Sequence, residues 1–142
     1  MGGTSTDVSL CPGQIKETTA SNVGGYPIGV PMIDIHTVGA GGGSIASVDS
    51  LARIHVGPES AGSEPGPACY DRGGTSATVT DADVTLGRID ADSFAGGTMR
   101  LSLENARNAI DKAVGTPLKL STLDAAFGLS EVVEENMANA AR

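Results

Sequence analysis

Aromatic residues, basic charge, long apolar runs and cysteine are all scarce in this chain. Aromatics make up 3% of 142 residues, with no Trp, two Tyr and two Phe, so a core must come from Val, Ile, Leu, Met and Ala. Nine Lys and Arg against 17 Asp and Glu leave a net charge of −8 and no basic run. That excludes nucleic acid or an anionic membrane surface as the main partner, because both demand a basic patch. No stretch approaches the roughly 18 apolar residues of a spanning helix, and no charged leader precedes an apolar core, so a cytoplasmic protein is expected. Cys11 and Cys69 are too few for a secreted disulfide framework and form no Cys-x-x-Cys pair; buried free thiols are expected.

Glycine is abundant instead. Twenty glycines in 142 residues are about twice the usual share of roughly 7%. They cluster in loops without a collagen-like period, between hydrophobic segments, which suits a backbone lying close against a ligand better than a flexible spacer. The length suits a single domain.

Apolar and polar residues alternate at Thr6, Val8 and Leu10, the period of a half-buried strand. Cys11-Pro12-Gly13 supplies a turn and Gln14 to Ala20 a second strand, which predicts a β-hairpin. Met32 to Val38 reads as a further strand that stops at glycine. Ile45 to Val48 and Arg53 to Val56 are short strand candidates. Residues 57–78, crowded with Gly, Pro, Ser and acids, predict a long irregular loop. Residues 79–142 read as mainly helical. Thr80-Asp81-Ala82-Asp83 looks like a helix start, with threonine as cap and a carboxylate three residues on. From Ser102, the apolar positions Leu103, Ala106, Ile110, Ala113 and Val114 share a helical face, with Gly115 and Pro117 predicted to end it. A second helix is predicted from Ser121, with Asp124 in its first turn and Ala126, Ser130, Val133, Met137 and Ala140 as one stripe; Glu131, Glu134 and Glu135 belong to its solvated face. The expectation is one partial α/β domain over 1–142, β-rich in its N-terminal two-thirds and helical in its C-terminal third.

Three segments have residue types suited to chemistry. Gly2-Gly3-Thr4-Ser5-Thr6-Asp7 has two glycines that let successive N–H groups converge on a phosphate, three hydroxyls, and an acid able to hold magnesium. An ordinary hydroxyl-rich turn before a strand has the same composition. Gly39-Ala40-Gly41-Gly42-Gly43-Ser44 follows a strand and suits an anion or amide, but lacks the Lys-Ser or Lys-Thr ending of a P-loop and the dinucleotide-binding fingerprint. Asp34 and His36 alternate with Ile33 and Ile35, which would place both on one face of a strand as metal ligands, as an oriented base, or as a plain surface pair. His55 stands alone on a short strand and reads as structural. No Gly-x-Ser-x-Gly elbow supports a serine triad.

Several long motifs occur in order: Met1-Gly2-Gly3-Thr4-Ser5-Thr6-Asp7-Val8, Asp34-Ile35-His36-Thr37-Val38-Gly39-Ala40-Gly41-Gly42-Gly43-Ser44, Gly57-Pro58-Glu59-Ser60-Ala61-Gly62, Pro65-Gly66-Pro67-Ala68-Cys69-Tyr70, Thr78-Val79-Thr80-Asp81-Ala82-Asp83, Leu86-Gly87-Arg88, and Glu135-Asn136-Met137-Ala138. From end to end the chain resembles the hydantoinase/5-oxoprolinase family, in its hydantoinase A-type subunit. The resemblance implies ATP-dependent opening of cyclic amides such as hydantoins or 5-oxoproline, with relatives that carboxylate ketones. It implies an actin/Hsp70/sugar-kinase-like (ribonuclease H-like) ATPase fold, in which Gly2, Gly3, Thr4, Ser5 and Thr6 contact the phosphates of ATP. Asp7 would hold Mg2+ or its water and serve catalysis. Asp34, His36, Gly39, Gly41, Gly42, Gly43 and Ser44 would line the substrate or metal region. A second subunit or domain is implied as partner. Family members are several times longer, so an acid before Met1, a first phosphate hairpin and an adenosine stretch after Arg142 are expected elsewhere, and the isolated chain is expected to be inactive. A stand-alone ligand-binding or assembly module is the contrasting expectation.

Overall fold

The computed structural model describes residues 2–142, so Met1, the first residue of the leading motif, lies outside the described residues. Residues 6–38 form one long antiparallel ribbon of three nested strand pairs. β1 (Thr6–Val8) pairs with β6 (His36–Val38), β2 (Glu17–Thr18) with β5 (Met32–Ile33), and β3 (Ser21–Val23) with β4 (Tyr26–Ile28). The ribbon reverses at Gly24 and Gly25, whose φ values of 61° and 88° suit a tight two-residue hairpin turn. The predicted hairpin between residues 6–10 and 14–20 therefore does not form. At Cys11-Pro12-Gly13 the Gly13 N–H bonds the Cys11 carbonyl at 2.8 Å, a three-residue bend that redirects the strand without reversing it. Leu10, Ile15, Val23, Tyr26, Ile33 and Ile35 along the ribbon remain exposed.

β7 (Ser44–Val48) and β8 (Ile54–Ser60) form an antiparallel hairpin. Its turn is tied by Asp49, which accepts the N–H groups of Leu51 at 2.8 Å and Arg53 at 2.9 Å. β8 continues through Gly57–Ser60, which composition had assigned to the loop, because Ser60 still pairs across to Ser44.

Helix α1 (Val79–Thr85) starts two residues earlier than the sequence suggested. The cap is Thr78, and a capping box joins it to Asp81, so Asp81 and not Asp83 is the reciprocal carboxylate. α2 (Leu103–Ile110) starts after Ser102, as expected, with Ser102 as its cap, but the helical path does not stop at Gly115. It widens into a π-turn over Asp111–Gly115, continues as α3 (Thr116–Leu118), and ends at Lys119 in the left-handed region with φ 56°. Pro117 falls where α3 begins, a position whose missing N–H does little harm, so it continues the helical path here. α4 (Thr122–Ala140) is capped by Ser121, whose hydroxyl accepts the Asp124 N–H at 3.2 Å.

The core is thin and built of small residues, as the lack of aromatics requires. Ala46, Val56, Val79, Ala82, Ile110, Val114, Leu129 and Val133 bring β7, β8, α1, the π-turn and α4 together. Cys69, Val84, Leu101 and Ala106 make a second cluster. Ala126, Ser130 and Val133 of the predicted α4 stripe are buried, with Met137 packed at its edge, although Ala125 and Leu129 also face inward. Among the described residues no helix is long and apolar enough to cross a membrane.

Candidate functional site

The structure brings the two glycine segments together by backbone contact. The Gly42 N–H donates to the Gly2 carbonyl at 3.1 Å, and the Gly43 N–H to that of Gly3 at 2.6 Å. The N–H groups of Gly41 and Ser44 are also engaged, Gly41 with the Ser44 hydroxyl at 2.9 Å and Ser44 with the Gly41 carbonyl at 3.0 Å. Beneath them, Thr80 of α1 donates both N–H and hydroxyl to the Gly42 carbonyl, each at 2.8 Å. Gly43's carbonyl accepts the Ala61 N–H at 2.8 Å. Gly41 through Ser44 thus form a buttress whose donors are used within the chain.

The two segments need glycine for different reasons. A Cβ on Gly41 would lie 2.7 Å from Gly2 O, Gly3 C and Thr4 N, and one on Gly43 would lie 2.8 Å from Gly3 O. Those glycines let one backbone pass against another. Among the described residues, a Cβ on Gly3 would meet nothing within 4 Å, and Gly3 has no positive φ. Among the described residues no contact demands a glycine at position 3. Among the described residues, the N–H groups of Gly3, Thr4 and Ser5 meet no acceptor, whereas that of Gly2 bonds the Ser5 carbonyl at 2.9 Å. Three consecutive N–H groups in an exposed turn with no covering side chain have the makeup of an anion-holding concavity.

The flanking side chains steady this turn. Thr6 donates its hydroxyl to the Ala40 carbonyl at 2.6 Å, and Thr4 and Ser60 share a hydroxyl contact at 3.3 Å. Asp7, exposed on β1, accepts the Thr37 hydroxyl on one oxygen at 2.6 Å. Its other oxygen is available to a cation. Among the described residues no three His, Cys, Asp or Glu side chains gather as a metal site.

Asp34 and His36 do not share a strand. The chain breaks pairing between β5 and β6 at Asp34-Ile35, where the Asp34 N–H bonds the Lys16 carbonyl at 2.9 Å. The Asp34 carboxylate meets the Lys16 ammonium at 2.7 Å, an ion pair that occupies it. Both residues nevertheless border one shallow cleft with Val8, Leu10 and Arg142. His55 lies exposed on β8 and donates Nε2–H to Asp49 at 3.0 Å, a structural role. Asp49 sits well below the usual carboxylate range, first because the Arg53 N–H bonds it, then because His55 does. Cys11 is exposed, against expectation, because the bend at Pro12 lies on the open ribbon. Cys69 is buried, and burial with the neighbouring Asp81 pushes its thiol far up.

Residue-type reasoning missed Thr80, Thr37 and Ser60. Each acts through tertiary contact alone, although all three lie within motifs that had been singled out.

The sequence model of the family described as Hydantoinase/oxoprolinase matches residues 1–142. The chain is 46% identical to the gamma subunit of acetophenone carboxylase from Aromatoleum aromaticum, over 99% of this chain and 20% of that protein. It is 43% identical to caprolactamase subunit alpha from Pseudomonas jessenii, over 100% of this chain and 20% of that protein. The crystal structure of that ATP-dependent caprolactamase superposes with a TM-score of 0.87 at 42% identity, over 99% of this chain and 20% of its own. Nucleotide-free acetone carboxylase also superposes at 0.87, with 31% identity over 98% of this chain and 20% of its own. The chain thus spans 20% of the length of these relatives. A match over its whole length, joined to the same mixed α/β course of the backbone, means that the chain belongs to the hydantoinase/oxoprolinase family.

Proposed function

We propose that this chain supplies one wall of the nucleotide site in an ATP-dependent hydrolase that opens cyclic amides of the hydantoin or 5-oxoproline type. The fold read for it is of the actin, Hsp70 and sugar-kinase kind. The observation that carries the reading is Gly3: it is exposed, nothing within 4 Å requires its smallness, and it starts three N–H groups that bond nothing among the described residues. A close-fitting anion from outside the chain accounts for all three facts. Phosphate oxygens fit such donors, and the hydroxyls of Thr4 and Ser5 stand beside them.

Asp7 fits a magnesium ion, which usually takes one or two carboxylates together with phosphate oxygens and water. Thr37 would hold that carboxylate in place, while the Gly41–Ser44 buttress keeps the turn from moving. Bound ATP would supply a phosphoryl group to the amide oxygen, which would make the poorly electrophilic amide carbon open to attack by water. The chain's own residues bind and orient; the donors of the turn are fixed beforehand, so little reorganisation remains when charge develops. The opposing phosphate hairpin and the adenosine pocket are assigned to the part of the family polypeptide that this chain does not span. Without them water is not excluded, and the isolated chain should turn over negligibly. Exposed Leu10, Val23, Tyr26 and Ile35 on the ribbon support cover by a further domain or a second subunit.

A second reading, ATP-dependent carboxylation of a ketone, is favoured by the 46% identity to a subunit of acetophenone carboxylase. Release of ADP from the complete protein distinguishes the two. Stimulation by hydantoin, caprolactam or 5-oxoproline alone supports the hydrolase; stimulation only by a ketone with bicarbonate supports the carboxylase. For the nucleotide site itself, Gly3→Ala should leave the melting temperature unchanged. Mg-ATP should bind roughly 10–100-fold more weakly, the equivalent of losing about 1.5–3 kcal/mol of charged hydrogen bonding. Asp7→Asn should cut ATP hydrolysis strongly at equal stability. Normal ATP affinity in Gly3→Ala together with normal hydrolysis in Asp7→Asn would remove the turn from the nucleotide site.

A further inference from the structure

We propose that the cleft between the 71–75 loop and the start of the long helical path is a binding site for a small carboxylate-bearing molecule, held by Lys112 and by backbone N–H groups of Gly73, Gly74 and Thr75. The site does not depend on the nucleotide reading, since it uses none of the residues of the Gly2–Asp7 turn.

The cleft has a volume of about 340 Å³, within the range of roughly 300–1,000 Å³ typical of small-molecule sites. Its two sides have different chemistry. On the loop side, the N–H groups of Gly73, Gly74 and Thr75 meet no acceptor among the described residues. Gly73 has φ 90°, and a Cβ at Gly74 would run into the Gly66 carbonyl oxygen, so both positions along this wall of the cleft require glycine. On the helix side, Asn105, Asn108 and Lys112 follow one another at spacings of three and four, which stacks them along one face. Lys112 stands in the π-turn Asp111–Gly115, a feature that re-aims side chains and recurs at functional sites. Among the described residues no carboxylate pairs with it, in a chain with 17 acids and a net charge of −8.

A buried carboxylate ties the chain on both sides of the loop. Asp81, with no exposed surface, accepts the N–H of Ala68 at 3.3 Å and Cys69 at 2.7 Å on one flank and that of Thr78 at 2.9 Å on the other. Donors on a loop tied at both ends lose less entropy when an anion arrives than donors on a free one.

Asp71 decides the class of ligand. One of its oxygens accepts the Asn105 amide at 2.9 Å, which leaves the other for a donor on the ligand. Its charge also opposes a phosphate dianion in the same space, while a singly charged carboxylate with a nearby N–H suits both ends. The Asn108 amide has no partner among the described residues and completes the polar set.

The probe is N-acetylglycine, which joins a carboxylate to one amide N–H, titrated into the full chain and followed by proton–nitrogen correlation NMR. Saturable shifts are expected at Gly73, Gly74, Thr75 and the Asn105 and Asn108 side-chain amides. Lys112→Gln should weaken the affinity at least tenfold at an unchanged melting temperature. Inorganic phosphate at matched ionic strength should bind more weakly than the carboxylate. Absence of saturation, an affinity indifferent to Lys112→Gln, or phosphate binding as tightly as N-acetylglycine would each overturn the assignment.

Discussion

Removing the carboxylate of Asp81 should be among the most damaging single changes in this chain. Its two oxygens accept four hydrogen bonds, from the N–H groups of Ala68, Cys69 and Thr78 and from the Thr78 hydroxyl. All three N–H groups belong to buried residues, so Asp81→Ala gives them no water to turn to. The buried N–H groups of Ala68 and Cys69, left without a partner, cost about 1–3 kcal/mol each, and that of Thr78 belongs to the capping box, whose loss costs about 0.5–2 kcal/mol. The Ala68 contact, at 3.3 Å, is the weakest of the set, so the lower part of each range applies to it. A loss of roughly 3–6 kcal/mol follows, against the 5–15 kcal/mol total of an ordinary domain. Asp81→Asn keeps one acceptor oxygen but turns an amide donor toward other donors, and should lose about half as much. Urea unfolding reads both values, with an unchanged slope showing that the unfolded state is the same. Amide hydrogen exchange should speed up first between residues 68 and 78. A loss below about 1 kcal/mol for Asp81→Ala would refute the reasoning, because it would mean those N–H groups were never dependent on this carboxylate.

Gly41→Ala should destabilise by about 1–3 kcal/mol, because its Cβ has only 2.7 Å to the backbone of Gly2, Gly3 and Thr4; thermal unfolding beside Gly3→Ala tests the contrast. The depressed Asp49 carboxylate contributes stability that is present above its unfolded value near 3.9 and is lost as pH falls toward the lower folded value. Asp49→Asn should therefore flatten the acid limb of a stability profile. Asp83 works in the opposite sense: burial raises it, with Arg88 pulling back, so its contribution is present at low pH and fades as pH rises through the folded value. Thiol reagents at neutral pH should modify Cys11 quickly and leave Cys69 untouched until the chain unfolds; equal rates would contradict the burial of Cys69.

Local signals could be read where a residue acts on its own neighbours. Ser121 with Asp124, and Ser102 before Leu103, were legible as helix starts because the hydroxyl and the N–H that it caps lie three residues apart. The start of α1 was misplaced because Thr78 and Thr80 are both cap-like, and Thr80 turns to Gly42 instead, across the fold. Lys119 ends the helical path in place of Gly115 for a similar reason: Gly115 is buried in a π-turn, and no local rule announces that. The candidate site was half legible. Its composition marked Gly2–Asp7 and Gly39–Ser44, but nothing in the order of residues shows that one supports the other.

The sequence by itself determined a small-residue core, the helical C-terminal third and the family, since these follow from composition, short-range periodicity and long ordered motifs. Only the tertiary structure decided that Thr6–Val8 pairs with His36–Val38, and that Gly41–Gly43 are glycines for packing while Gly3 is free of any such demand. Strand partners and close backbone approaches depend on residues far apart in sequence, and their contacts exist only once the chain has folded. The opening turn, with its bare Gly3, draws its functional meaning from that difference.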